Sequence, residues 1–109
     1  MPEAGERLES FAVHSELCRV LTDPKRLMIL DALRRGDRSV TELASQLGCS
    51  MPNASQHLTV LRAAGLVAGE RDGTTVRYRL TEPEIMTACD IVAAIATRLR
   101  NQPPMGRTR

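Results

Sequence analysis

Residues 39–80 read SVTELASQLGCSMPNASQHLTVLRAAGLVAGERDGTTVRYRL, and this stretch decides the fold. It opens with the capping box Ser39-Val40-Thr41-Glu42, in which the serine and glutamate side chains satisfy free backbone amides at a helix start. Apolar residues then recur at helical spacing, and Gly48 ends this helix. Ser50 caps a further helix of about residues 51–64. The stretch therefore predicts two short helices joined by a tight turn.

A β-hairpin is predicted directly after these two helices. A strand starts at Leu66, and Asp72-Gly73 is a typical hairpin turn signal. In the returning strand Val76, Tyr78 and Leu80 alternate with polar residues, so they share one face. Since a helix fits the major groove and a hairpin beside it reaches the neighbouring backbone, this order indicates a winged helix-turn-helix.

The flanking segments predict three more helices. A first helix of about residues 9–21 stops ahead of Asp23-Pro24, and Asp23 caps the second helix. The last helix is expected to begin with a capping box, Thr81-Glu82-Pro83-Glu84, followed by apolar residues. The prediction is thus a mainly α fold with four helices, a two-stranded hairpin wing and a final helix. One domain spans residues 9–100, between flexible tails of residues 1–8 and 101–109.

Length and composition limit the function classes. The chain has 109 residues, 15 basic against 13 acidic, and a net charge of +2, with Lys25 as its single lysine. A chain of this length has room for one domain. No apolar run is long enough to span a bilayer, and the acidic N-terminus lacks the features of a secretory signal, so we expect a cytoplasmic protein without a membrane partner. Three widely spaced cysteines fit reduced thiols rather than a disulfide scaffold.

The fourth helix carries the candidate function. At about 100° per residue, Ala54, Leu58 and Leu61 share the face that must point to the core. The opposite face carries short hydrogen-bonding side chains and an arginine, and no acidic residue lies between 51 and 64. Such a face suits contacts to base edges and phosphates. The alternative is a polar outer face with no partner.

The wing carries a similar ambiguity. Arg71 and Arg77 flank the hairpin tip and are expected to bracket a pair of phosphates. The alternative is that charge at the tip only keeps an exposed strand edge from aggregating. The candidate DNA-contacting residues are Ser50, Asn53, Ser55, Gln56, His57, Thr59, Arg62, Arg71, Thr74 and Arg77.

Several motifs together resemble the ArsR/SmtB family of bacterial repressors over residues 10–98. They are the opening of the second helix at residues 21–30, the helix-turn-helix at 39–44 and 55–67, and the wing at 73–80. The resemblance implies a homodimer formed through the first and last helices. It also implies binding to an inverted-repeat double-stranded DNA operator and release when an inducer is sensed. Carried over by position, Ser55, Gln56 and His57 lie in the recognition segment, and His57 is expected to pack or to contact phosphate.

The sequence departs from the family where inducers are sensed. The cysteine pair of the arsenic, cadmium and lead sensors is replaced by residues 38–41, and the last helix has no histidine for zinc or nickel. The cysteine positions of the persulfide sensors hold Asp31 and, nearby, Thr97. Cys18 on the first helix and Cys89 on the last helix remain.

Three interpretations of these cysteines stay open. In the first interpretation the thiols of Cys18 and Cys89 are oxidised or bridged by sulfur. Alternatively, they bind a metal or metalloid ion together with His14, which lies one turn from Cys18. In the third interpretation each cysteine is a small buried hydrophobe without a sensing role. Cys49, in the turn, is expected to pack there.

The leading function is a thiol-responsive, DNA-binding transcriptional repressor. The alternatives are a metal- or metalloid-responsive repressor and a winged-helix module for protein interaction without a sensor site. An enzyme is not predicted, because no phosphate-cradling glycine loop and no nucleophile with a base at helical spacing is found. No cofactor is required, although a metal or metalloid ion fits the second interpretation.

Overall fold

The computed structural model describes residues 3–102. Its helices and strands are, in chain order, α1 (Ala4–Val20), α2 (Pro24–Leu33), β1 (Arg38–Ser39), α3 (Val40–Leu47), α4 (Met51–Ala63), β2 (Val67–Asp72), β3 (Thr75–Leu80) and α5 (Glu84–Asn101). The predicted class, mainly helical with a hairpin wing, is confirmed.

Helices α2, α3 and α4 each begin directly after a residue whose side chain caps the helix. Asp23 accepts a hydrogen bond from the Lys25 amide at 2.8 Å, and Ser50 accepts one from the Asn53 amide at 3.1 Å. At α3 the reciprocal capping box is complete, because the Glu42 carboxylate also accepts from the Ser39 amide at 2.8 Å. These caps satisfy donors that the first helical turn leaves free, so they fix where each helix begins.

The core lies between α2, α3, α4 and the wing. Ile29, Leu30 and Leu43 are fully buried there. The predicted inner face of α4 is confirmed, since its three apolar residues are at most 1% exposed: Ala54, Leu58 and Leu61. Burying this face fixes the rotation of α4 about its axis and thereby decides which side chains point outward.

The sheet has three strands rather than the two that were predicted. The strand order is β1-β3-β2, with both pairs antiparallel. The short strand β1 pairs with β3 through Arg38 opposite Tyr78 and Ser39 opposite Arg77. Two residues give no sequence pattern of their own, and the pairing partner is distant in the chain, so this strand was missed.

The hairpin turn lies one residue later than its sequence signal. Asp72 pairs with Thr75, so the two-residue loop is Gly73-Thr74. Gly73 has a φ of 67°, which glycine adopts without steric cost. Within the wing the Tyr78 ring lies over Gly69, where an added Cβ would come within 3.0 Å of it.

Three predicted boundaries were wrong. Helix α1 begins at Ala4 rather than near residue 9, because Glu3 and Glu6 form a capping box that extends it into the predicted tail. At α5 the predicted capping box is absent, because the Thr81 hydroxyl donates to the Gly65 carbonyl instead. Helix α5 also continues to Asn101, one residue past the predicted domain. Residues 1–2 and 103–109 of the predicted tails lie outside the described residues.

Helices α1 and α5 carry a broad apolar surface that the single chain leaves uncovered. Phe11 is 60% exposed, Val92 65% and Leu99 57%. Further exposed members of the same set are Leu8, Val13, Ile91 and Ile95. None of the helices within residues 3–102 combines the length and apolar character that a membrane span needs.

Candidate DNA interface and cysteine pair

The outward face of α4 is polar and exposed. The side chains of Ser55, Gln56, Thr59 and Arg62 are all exposed, and Ser50 at the N-cap is exposed as well. The Thr59 hydroxyl donates to the Ser55 carbonyl at 3.0 Å, so only its lone pairs remain for a partner. The face therefore offers an amide, a hydroxyl and a guanidinium from one rigid helix.

His57 lies at the edge of this face, as its position in the helix predicts. It is half-buried and close to the Asp23 carboxylate. Burial raises the pKa of Asp23, but the hydrogen bond from the Lys25 amide and the charge of His57 outweigh it and hold this pKa below its usual value. His57 therefore faces the start of α2 rather than the centre of the exposed face.

Lys25 contacts α4, which the sequence alone did not predict. Its Nζ donates to the Asn53 side-chain oxygen at 3.3 Å, joining the first turn of α2 to the first turn of α4. The two residues are 28 positions apart, so no local pattern links them. The contact adds an ammonium group to the end of the candidate interface.

The two wing arginines have different surroundings, and their predicted contact with a pair of phosphates stays a prediction. Arg71 pairs with Val76 and Glu70 pairs with Arg77, so the two arginines lie on opposite faces of the hairpin. Arg77 also donates to the Asp37 carbonyl at 2.8 Å and lies 3.5 Å from the Glu42 carboxylate. It therefore stabilises the junction of wing and α3, whereas Arg71 and Thr74 stay exposed near the tip.

Cys18 and Cys89 line one apolar cavity between α1 and α5. The cavity has a volume of about 500 Å³, and His14 also lines it, with aliphatic neighbours that include Leu17, Ile85 and Val92. Cys18 is exposed and Cys89 is half-buried. Across residues 3–102, no three side chains of the metal-binding types come together as an ion site. A single chain thus brings both thiols and His14 to one cavity but does not assemble the predicted metal site from them.

A bidentate ion pair lies beside Cys89. The Arg34 guanidinium, at the end of α2, donates to both carboxylate oxygens of Asp90 at 2.8 and 2.6 Å, and it also contacts Asp31 at 3.1 Å. This pairing holds the pKa of Asp90 below its usual range. Burial, and then the negative charge of Asp90, raises the pKa of the Cys89 thiol, and Arg34 opposes this only in part. Near neutral pH, Cys89 therefore forms the thiolate less readily than an ordinary cysteine does.

We expect Asp90→Asn to accelerate the reactions of Cys89. The substitution removes a negative charge and releases Arg34, and both changes favour the thiolate, so the pKa of Cys89 should fall. The check is the rate of iodoacetamide alkylation against pH in a Cys18→Ser/Cys49→Ser background. Before substitution the midpoint should lie above the ordinary cysteine value, and Asp90→Asn should move it down. An unchanged or higher midpoint would contradict the assignment, and a chain retaining only Cys18 is the control.

Comparison with known proteins gives a consistent family assignment. A family model described as a helix-turn-helix domain matches residues 21–70. The repressor SmtB of Mycobacterium tuberculosis is 48% identical over 67 residues, which are 62% of this chain and 50% of SmtB. The regulator Rv0081 of the same species is 37% identical over 90 residues, or 82% of this chain and 79% of Rv0081. The chain spans about half the length of the first curated relatives it matches.

Solved structures show the same fold. The homodimeric winged helix-turn-helix DNA-binding domain of Mb0332 from Mycobacterium bovis matches with a TM-score of 0.77 and 27% identity, covering 92% of this chain and 94% of that one. Reduced HlyU from Vibrio cholerae matches with a TM-score of 0.68 and 34% identity, covering 89% and 98%. The relatives are transcriptional regulators rather than enzymes. The chain belongs to the ArsR/SmtB family of winged helix-turn-helix transcriptional regulators, as the resemblance of its motifs predicts.

Proposed function

We propose that this chain is a transcriptional repressor that binds an inverted-repeat operator as a homodimer and releases it when Cys18 and Cys89 are oxidised or bridged by sulfur. The observation that carries the DNA-binding part is the outward face of α4. It is exposed, polar and free of acidic residues, while the inner face is locked into the core by Leu58 and Leu61.

The side chains of this face match the chemistry of the major groove. The Gln56 amide has both a donor and an acceptor, as adenine recognition requires. Arg62 suits a phosphate or a guanine edge, and Ser55 suits either base or backbone. Because the helix is held by its buried face, these groups are positioned before DNA arrives and lose little freedom on binding.

The exposed apolar surface of α1 and α5 supports the homodimer. Side chains as large as Phe11 and Val92 are more than half exposed in the single chain. An apolar surface of this extent usually marks an interface. Pairing two copies through α1 and α5 would cover this surface and set two α4 helices to face two half-sites.

The proposed oxidation of Cys18 and Cys89 requires a two-electron oxidant, such as a peroxide or a polysulfide. The Cys18 thiolate attacks one oxygen of a peroxide, which stays on the sulfur as a sulfenic acid, while the O–O bond breaks and the other oxygen leaves as hydroxide and is protonated to water. The Cys89 sulfur then attacks the Cys18 sulfur, an S–S bond forms and a second water leaves. With a polysulfide, the Cys18 thiolate takes one terminal sulfur to form a persulfide, and the polysulfide leaves shortened by one sulfur. The Cys89 thiolate then attacks the Cys18 sulfur, the S–S bond between the cysteines forms and hydrosulfide leaves. Cys18 is assigned the first attack because it is the exposed thiol, whereas burial raises the pKa of Cys89.

Two contacts connect the cysteine-bearing helices to α2. The Arg26 side chain donates to the Val20 carbonyl at the end of α1 at 2.6 Å, and Arg34 holds Asp90 on α5. Since α2 packs against α3 and α4 in the core, a displacement of α1 or α5 by the thiol reaction would be passed to the DNA-binding helices through these two contacts.

A metal- or metalloid-responsive repressor is the second candidate. It is favoured by His14, Cys18 and Cys89 lining one cavity, because sulfur and imidazole ligands suit soft ions. A titration with arsenite or a divalent metal ion in the presence of reductant separates the two candidates, since only ion binding releases DNA under those conditions.

The test of the DNA-binding proposal is a salt titration with reduced protein and DNA from upstream of its own gene. We expect preferential binding to that DNA over a scrambled duplex. We also expect log Kd to rise linearly with log salt, because phosphate contacts displace condensed counterions. Equal and salt-insensitive binding to both duplexes would favour the protein-interaction alternative instead.

A further inference from the structure

The first turn of α2 places the ammonium group of Lys25 next to the first turn of α4. Lys25 Nζ donates one of its three N–H bonds to Asn53 Oδ1 at 3.3 Å. Within residues 3–102, no carboxylate lies within ion-pair distance of this ammonium group. The adjacent Asp23 carboxylate accepts from the Lys25 backbone amide instead. Two N–H bonds of the ammonium group are therefore left for another acceptor.

The same contact fixes the direction of the Asn53 amide. Because Asn53 Oδ1 accepts from Lys25, the Nδ2 donors point away from Lys25. An asparagine that reads adenine must offer its oxygen as an acceptor and its nitrogen as a donor at once. Since Lys25 already occupies one lone pair of the Asn53 oxygen, the free Nδ2 donors are the groups that Asn53 presents most readily, and they suit a phosphate oxygen.

The electrostatic setting favours an anion at this position. Asn53 lies in the first turn of α4, where the amides that the helix leaves free give a positive end. No acidic residue occurs in α4, and the nearest carboxylate, Asp23, is held at the helix start by its cap.

We propose that Lys25 and Asn53 together clamp one backbone phosphate of each half-site and so set the position of α4 in the major groove. The inference rests on the proposed DNA-binding function, adds Lys25 to the candidate interface and gives Asn53 a defined role. Lys25 attracts the phosphate by its positive charge. Asn53, whose amide is oriented by Lys25, donates a hydrogen bond that fixes the position of the phosphate. The contact is to the backbone, so it positions the protein without reading the base sequence.

The test compares Lys25→Met, Lys25→Arg, Asn53→Ala and the double variant Lys25→Met/Asn53→Ala. Affinity for the operator and for a scrambled duplex is measured by fluorescence anisotropy over a range of salt concentrations. Arg7→Ala, which removes one positive charge from α1, is the matched control. Thermal unfolding verifies that each variant is folded.

We expect Lys25→Met to weaken binding to both duplexes by the same factor, about fivefold per half-site near physiological salt. The salt slope should fall by roughly one for each Lys25, so by about two for a homodimer. Lys25→Arg should keep the slope. The double variant should lose less than the sum of the single losses, because the two residues serve one phosphate.

An unchanged salt slope in Lys25→Met, or a loss confined to the operator, would overturn the phosphate clamp while leaving the repressor proposal in place. A wild-type protein that binds neither duplex would overturn both. These outcomes are distinct, so failure of the clamp is not confused with failure of the function.

Discussion

Gln56→Ala is expected to weaken operator binding by about 1–3 kcal/mol, roughly 5- to 150-fold, with little effect on a scrambled duplex. Gln56 is exposed on the outward face of α4, and its amide is the group on that face best suited to a base edge. Removing a base contact lowers the specificity ratio, whereas removing a phosphate contact weakens binding to every sequence. The measurement is anisotropy with both duplexes, and Gln46→Ala on α3 is the matched control.

Arg62→Ala extends the same experiment to the other end of the face. Its guanidinium is exposed in the last turn of α4, where it suits a phosphate or a guanine. We expect Arg62→Ala to bind the operator more weakly. The homodimer, measured by sedimentation, should stay intact in this variant and in Gln56→Ala, because neither Arg62 nor Gln56 belongs to α1 or α5. Unchanged affinity in both Gln56→Ala and Arg62→Ala would show that the recognition face has been placed on the wrong side of α4.

Cys18→Ser/Cys89→Ser is expected to bind the operator with wild-type affinity and to lose the response to oxidant. The two thiols line one cavity between α1 and α5, and none of the outward residues of α4 lines that cavity. Serine keeps the size of the side chain but cannot form a bond to sulfur. In the wild-type protein, oxidation should reduce the affinity at least tenfold, and dithiothreitol should restore it.

Cys49→Ser is the matched control for this pair. Cys49 is half-buried in the turn between α3 and α4, so its replacement should leave the oxidant response in place. A non-reducing gel shows whether the bond forms within one chain or between two chains. A Cys18→Ser/Cys89→Ser protein that still releases DNA on oxidation would move the sensing site elsewhere.

The parts of the fold that the sequence predicted depend on contacts between near neighbours. Each of Asp23, Ser39 and Ser50 caps a helix through an amide two or three residues further on. Likewise, the buried face of α4 follows from the spacing of apolar residues along one helix. Such signals are complete within a short window of sequence, so they could be interpreted without the rest of the chain.

The parts that were missed depend on contacts between distant residues. The strand β1 exists only because residues 38–39 lie opposite Tyr78 and Arg77 of β3. The same strand places Asp37, whose carbonyl accepts from Arg77 40 residues away. This contact ties Arg77 to the loop before β1, which its place in the hairpin alone did not predict. Thr81 matched a capping box locally, but its hydroxyl found the Gly65 carbonyl, and the tertiary contact prevailed.

The candidate site likewise contains residues that local sequence patterns predicted and residues that were missed because their contacts are distant in the chain. The outward residues of α4 were predicted because helical periodicity gives the exposed face once the core face is known. Lys25 was not predicted, because its contact with Asn53 spans 28 residues. The Arg34–Asp90 pair spans 56 residues and was missed for the same reason. For the cysteines, the family resemblance implied that the first and last helices pack together at a dimer interface, and the structure adds which thiol is exposed and which is half-buried.

Reversible binding to DNA from upstream of the chain's own gene tests the central claim most directly. Affinity is measured first with chelator and reductant present, then after reductant is removed and polysulfide is added, and finally after dithiothreitol is restored. We expect tight binding, loss of binding after polysulfide and recovery with thiol, all without added metal. Tight binding that polysulfide leaves unchanged would contradict the thiol switch, and metal or arsenite titration would then identify the inducer class.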